Sequence, residues 1–170
     1  MDKRIILYIA MSLDGFIAKK DGNVDWLKKY EKSGEDYGFK ELYNRVETLL
    51  IGGITYNQFE DTYEGKEVYV LSHRKSKPKA SNIHFVSGNV KDIVKGLKLG
   101  NNKNIWLVGG ADLVNQFLIA ELIDEYIITI IPTLLGKGIL LFQERNNDTN
   151  LKLLNVKHYD SDLVQLHYVK

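Results

Sequence analysis

Short runs of aliphatic and β-branched residues constrain this chain more than any other feature. They are "RIILYIAM" from Arg4 to Met11, "TLLIGG" from Thr48, "NIWLV" from Asn104 and "EYIITIIP" from Glu125. They are almost continuously apolar, whereas a strand with one wet face alternates. Each is therefore expected to be a strand covered on both faces, as in a parallel sheet packed between helices. Segments with helical character lie between them: about Glu35 to Val46, with Phe39, Leu42, Tyr43 and Val46 on one face, then "ITYNQFED", "NVKDIVKGLK" opened by Asn89, and "ADLVNQFLIA". "EVYVLS" (Glu67 to Ser72) and "IHFVS" are further strands, and "SLDGFIAKKDGNVDW", with two Asp-Gly pairs, reads as a long loop. The tail differs, since "LKLLNVKHY" and "LVQLHYV" look like antiparallel strands around a turn at Asp160 to Asp162. Helix and strand alternate early and strands dominate late. The expected fold class is a single α/β domain over residues 1–170, with a mixed, mostly parallel sheet and antiparallel C-terminal strands.

Bulk composition narrows the function classes. The 170 residues suffice for one core, and the absence of cysteine removes disulfides, thiolate zinc sites and cysteine nucleophiles together. No metal site is expected. Lys and Arg number 23 against 22 Asp and Glu, a net charge of +1, which lowers the rank of nucleic-acid binding. "MDKRIILYIAMSLDG" lacks the cleavage site of a signal peptide, and "YIITIIPTLLG", interrupted by Pro132, is too short to span a membrane. The expectation is a cytoplasmic protein acting on a small molecule, without a membrane or nucleic-acid partner.

In an open α/β sheet, ligands bind at the carboxyl ends of parallel strands. Here those ends read "AMSLDG", "LLIGGITY", "VLSHRK" and "WLVGGAD". The last raises the sharpest question, because Gly109 and Gly110 stand together where strand becomes helix. Either they make a tight turn that only glycine reaches without penalty, or bare backbone approaches a ligand at a helix N-terminus. The spacing is not the dinucleotide fingerprint G-x-G-x-x-G, since Leu113 stands where a third glycine would be.

Taken in order, "IAMSLDGFIA", "LLIGGITY", "VLSHRK", "IWLVGGADLVNQFL" and "IDEYIITIIPTLLGKGILLF" resemble the dihydrofolate reductase-like fold, and within it the riboflavin-biosynthesis pyrimidine reductases, the RibD C-terminal domain. The resemblance covers nearly the whole chain and implies a three-layer αβα domain that transfers hydride from a nicotinamide cofactor, NADPH before NADH. It also implies roles for single residues. Ala10 corresponds to the backbone that holds the nicotinamide carboxamide, and Ile17 and Ala18 to the mobile loop over that ring. Gly52, Gly53, Ile54 and Thr55 correspond to the phosphate-binding turn. Ser72, His73 and Arg74 match the segment along the ribose and its 2′-phosphate. Val108, Gly109, Gly110, Ala111, Asp112, Leu113 and Val114 match the turn and helix start that cradle the pyrophosphate, with a cis peptide expected between the glycines.

The same resemblance makes Asp36 and Thr129 the catalytic pair, a buried helix-borne carboxylate bonded to a strand hydroxyl, with Tyr8, Trp26, Asp36 and Lys40 at the substrate. Several positions depart from it. Lys40 stands where folate enzymes carry an aromatic residue, and Asp25-Trp26 replaces their Pro-Trp. Val108 replaces a glutamate of the pyrimidine reductases, and Gly53 and Asp112 stand where arginines often do. Three functions stay open: a reductase of a small heterocycle resembling 5-amino-6-(5-phosphoribosylamino)uracil reductase, a genuine dihydrofolate reductase, and a non-catalytic nucleotide-binding module. The apolar run "EYIITIIPTLLGKGILLF" is expected to help form a homodimer at a sheet edge.

Overall fold

The computed structural model describes residues 3–31, 34–59, 63–73, 77–98, 103–144 and 148–170. Its core is an eight-stranded sheet in the order β5-β4-β3-β6-β1-β7-β10-β9. From one edge these are β5 (Ile83–Val86), β4 (Glu67–Leu71), β3 (Val46–Gly52), β6 (Asn104–Gly109), β1 (Ile5–Ser12), β7 (Glu125–Ile131), β10 (Val164–Val169) and β9 (Lys152–His158). Every pairing from β5 to β7 is parallel, and only β7 with β10 and β10 with β9 run antiparallel. The mixed sheet expected from the patterning is therefore the one observed.

The continuous apolar runs are explained by what covers them. Along β1, Ile5 and Leu7 pack with α4 (Val90–Lys98) and α5 (Ala111–Ile119), while Ile6 between them packs on the other face with α2 (Phe39–Arg45) and α3 (Gly53–Phe59). β7 repeats the arrangement, with Tyr126 and Ile128 toward α5 and Ile127 toward α2. Successive side chains point to opposite faces. Both faces are dry, so both parities must be apolar.

Three differences from the sequence reading matter for the site. The α2 helix begins at Phe39 rather than near Glu35, because Tyr37 and Gly38 lie at positive φ and turn the chain just before it. The segment read as a long loop contains β2 (Phe16–Ala18), paired with β8 (Ile139–Leu140), and then a single turn of 3-10 helix at Asp25–Leu27 running into α1 (Lys28–Glu31). Such short elements carry no periodicity to read. Finally, β7 is not a sheet edge. It lies between β1 and β10 with six of its seven residues buried, and the exposed edge is β9, where Leu153, Leu154 and Val156 are each about half exposed.

Candidate functional site

Three parallel strands deliver glycine or hydroxyl residues to one place. A Cβ on Gly52, at the end of β3, would lie 3.5 Å from both the carbonyl oxygen of Gly109 and the amide nitrogen of Gly110. On Gly53 it would lie 3.0 Å from the Ser72 side chain, which follows β4, and on Gly110 it would lie 3.0 Å from Thr55 Oγ1. The turn after β3 thus touches the turns after β4 and β6 on its two sides, and the glycines of β3 and β6 leave the backbone bare at the point of closest approach. Gly109 has φ +116°, a conformation side chains disfavour, and the Gly109–Gly110 peptide is cis, as expected. Gly110 is the N-cap of α5 and supplies no side-chain hydrogen bond. The first N–H groups of that helix depend on a partner from outside it, which an anion can be.

Other expected cofactor positions fall differently. The side chains of Ala111, Leu113 and Val114 are buried in the core under α5, so only their backbone is available to a ligand. Asp112 points outward and accepts a 3.0 Å hydrogen bond from Gln143. Ile54 is 84% exposed and His73 is exposed as well. Arg74 lies outside the described residues. Val108 packs with Tyr8 against the α2 side of the sheet. Ala10 is half-buried and pairs in register with Thr129. Ile17 packs against the α5-side core, and its strand is tied down by β8. Asp14 strengthens that tie by accepting hydrogen bonds from Ser12 Oγ (2.6 Å) and from the amides of Leu135 and Gly136 (3.1 and 2.7 Å). The Ser12 bond first, then the amides, hold the Asp14 carboxyl below its ordinary pKa.

The Asp36–Thr129 pair is corrected by the structure. Asp36 is exposed, and its carboxylate accepts hydrogen bonds from the amides of Gly38 (3.1 Å) and Lys40 (3.2 Å), which hold its pKa below the usual range instead of raising it. It closes the turn into α2. The positive-φ residues Tyr37 and Gly38 separate it from the helix proper, which is why it does not ride on the inner helix face. Thr129, only 5% exposed, is bonded to Gln165 of β10, its register partner.

Around Thr129 lies a neutral network. Gln165 Nε2 donates to Thr129 Oγ1 (2.9 Å) and to the Tyr37 carbonyl (2.8 Å), and Tyr159 donates its hydroxyl to Gln165 Oε1 (3.3 Å). The Tyr8 hydroxyl donates to the same Tyr37 carbonyl (3.1 Å). Burial pushes the Tyr8 hydroxyl well above its ordinary pKa, assisted by nearby Tyr159 and Asp36, and burial also raises Tyr159. Tyr8 further belongs to an aromatic wall in which its ring lies 6.1 Å from Trp106 and 6.5 Å from Phe39, with Tyr43 5.3 Å beyond Phe39. Trp106 Nε1 donates to the Tyr8 carbonyl.

Of the expected substrate residues, Tyr8 is thus near Thr129. Trp26 packs with Tyr30, Tyr37, Tyr159 and Ala10 in a small cluster beside it, and the buried Trp26 Nε1 and Tyr30 hydroxyl have no hydrogen-bond partner among the described residues. Lys40 and Asp36 line a shallow groove on the other side of Tyr159, with Lys157, His158 and Asp160. Sequence reasoning missed Gln165, Tyr30, Tyr159 and Phe39. The one available signal was an amide flanked by the apolar Val164 and Leu166, and nothing in the sequence gives the register that sets it opposite Thr129.

The chain matches the RibD C-terminal domain family over residues 3–165 and belongs to that family. It is similar to the protein YwjB of Bacillus subtilis (strain 168), 40% identical over 175 residues, covering 100% of this chain and 99% of that one. Among solved structures it resembles a protein from Shewanella sp. PV-4 assigned to riboflavin biosynthesis, with TM-score 0.87, 31% identity, and coverage of 99% and 98% of the two chains. It also resembles the Enterococcus faecalis dihydrofolate reductase complexed with NADP(H), with TM-score 0.72, 16% identity, and coverage of 98% and 95%. The fold is dihydrofolate reductase-like.

Proposed function

We propose that this member of the RibD C-terminal domain family is an NADPH-dependent reductase of a small heterocyclic substrate. The observation that carries the reading is the convergence of the Gly52–Gly53, Ser72 and Gly109–Gly110 turns in front of the uncapped start of α5. A bare-backbone cradle at a helix start that no N-cap side chain closes suits a pyrophosphate better than it suits a plain turn. The similarity to a reductase complexed with NADP(H) supports the same cofactor here. Gly109, Gly110 and the first amides of α5 would hold the diphosphate, with Thr55 beside them. Ala10 would present its backbone to the nicotinamide, and the cofactor when bound would supply the hydride.

The chain's own contribution is a neutral, aromatic wall. Tyr8, Trp106 and Phe39 form an aromatic surface for a flat ring, and Thr129 stands beside Ala10 as a buried hydroxyl at the expected nicotinamide position. With Asp36 facing solvent, no carboxylate among the described residues serves Thr129, which separates this site from the arrangement expected of a genuine dihydrofolate reductase. A titration of NADPH and NADH by quenching of tryptophan fluorescence, run beside cofactor oxidation across a panel of uracil-type and folate substrates, tests the reading. NADPH binding with turnover on a heterocycle is expected. Binding without turnover would favour the nucleotide-binding module, and no binding would sink both.

Homodimerisation is part of the proposal, with its surface moved from β7 to the β9 edge, where Leu153, Leu154 and Val156 remain half exposed. Light scattering should give twice the chain mass, and Val156→Lys should return it to monomer; a wild-type monomer at micromolar concentration would refute this part.

A further inference from the structure

A donor with no acceptor identifies what the substrate must offer. Gln165 Nε2 is an amide nitrogen and can only donate. Its orientation is fixed by the Tyr37 carbonyl, which can only accept: a flipped amide would set oxygen against oxygen there. Thr129 Oγ1 must then accept from Gln165, and its own O–H is left to donate. That hydrogen has no acceptor among the described residues, although Thr129 is only 5% exposed. Buried hydroxyls are seldom left so. The neighbouring Tyr37 carbonyl cannot take it, since Tyr8 and Gln165 already fill its two lone pairs.

A carboxylate beside Thr129 would have turned the same hydroxyl the other way. Thr129 would donate to it, and the carboxylate would then seek an N–H edge on the ligand. Gln165 reverses this polarity. The surroundings agree, because among the described residues the two other unpartnered buried groups bordering Ala10 are the Trp26 indole N–H, which can only donate, and the Tyr30 hydroxyl.

We propose that Thr129 is a hydrogen-bond donor to the substrate, positioned by Gln165, and that the cleft takes an uncharged planar ring presenting a carbonyl oxygen or ring nitrogen there. Rings that present an amidine-like N–H edge are disfavoured. This deepens the reductase reading and rests on it for the location of the cleft.

Two probes of equal size separate the polarities: acetophenone, whose only polar atom is a carbonyl acceptor, and benzamidine, whose cation carries only donors. Their affinities are measured by ligand-observed NMR titration, with and without saturating NADPH. Wild type should bind acetophenone at least about tenfold more tightly than benzamidine. Thr129→Val should lose about that factor for acetophenone alone, while Thr129→Ser retains it. Gln165→Glu should reverse the preference, a result that loss of packing cannot produce. Thermal unfolding confirms that each variant is folded.

Tighter benzamidine binding by wild type, binding of neither probe at millimolar concentration, or an acetophenone affinity unmoved by Thr129→Val would overturn the proposal. If NADPH still saturates the protein in those cases, only the donor assignment falls. If NADPH fails to bind while the acetophenone preference follows Thr129, the reductase reading falls and the donor site stands.

Discussion

β7 carries two buried polar residues, four positions apart on one face, and they have opposite characters. Glu125, at the start of the strand, is 1% exposed and fully engaged: Arg45 Nη2 reaches both carboxylate oxygens at 2.9 Å, His167 Nε2 lies 2.8 Å from one of them, and Arg4 stands 3.8 Å away. Thr129, near the other end, has neutral partners and one hydrogen with no acceptor among the described residues. Both are served by β10, through His167 and Gln165. The difference separates structure from function. A buried charge must be surrounded by partners or it cannot stay charged, and a group whose valences are all taken has nothing to offer a ligand. An incompletely satisfied group at the carboxyl end of parallel strands has that capacity.

The largest effect should come from breaking the saturated end. Glu125→Ala strips Arg45 and His167 of their shared partner and should cost about 3 kcal/mol of stability, at the lower end for buried pairs because Arg45 is 33% exposed. Urea unfolding measures it, and NADPH affinity of the folded fraction should stay unchanged. If the affinity falls instead, the two ends of β7 are not separable.

Thr129→Val should cost less, about 1 kcal/mol by the same measurement, since it removes one neutral acceptor from Gln165 and leaves no stranded charge. Its signature is the loss of acceptor-ligand binding and of turnover. A stability loss as large as that of Glu125→Ala would mean that Thr129 is core rather than site.

The smallest effect is expected at Asp36. Because the folded-state pKa is depressed by the amides of Gly38 and Lys40, the carboxylate contributes stability that is present above the ordinary carboxylate pKa and is lost as pH falls through the lower, folded value. Asp36→Asn should therefore flatten stability slightly on the acid side and leave turnover and its pH profile near neutrality as they are. A marked loss of turnover at high pH would restore Asp36 to the chemistry.

The ease of reading these regions in sequence follows from the range of the interactions that make them. Gly109-Gly110 and Gly52-Gly53 announce themselves because backbone freedom is a property of the residue itself, and their place after apolar runs identifies the strand ends. Asp36 misleads for a related reason: an acid before a helix suits both an outward turn-closing role and an inward catalytic one, and the φ values of Tyr37 and Gly38 decide between them.

By itself the sequence determined which segments are doubly covered strands, that the glycine turns lie at strand ends, and that strands dominate the C-terminal part, since these depend on residue type and spacing within a few positions. The tertiary structure alone decided that β7 is interior and β9 the edge, and that Gln165, 36 positions away, rather than Asp36, partners Thr129. The physical reason is register. Strand order and pairing are fixed by the summed packing of both faces of the sheet, and a slip of one residue along β10 would turn Gln165 to the opposite face without changing a letter of the sequence.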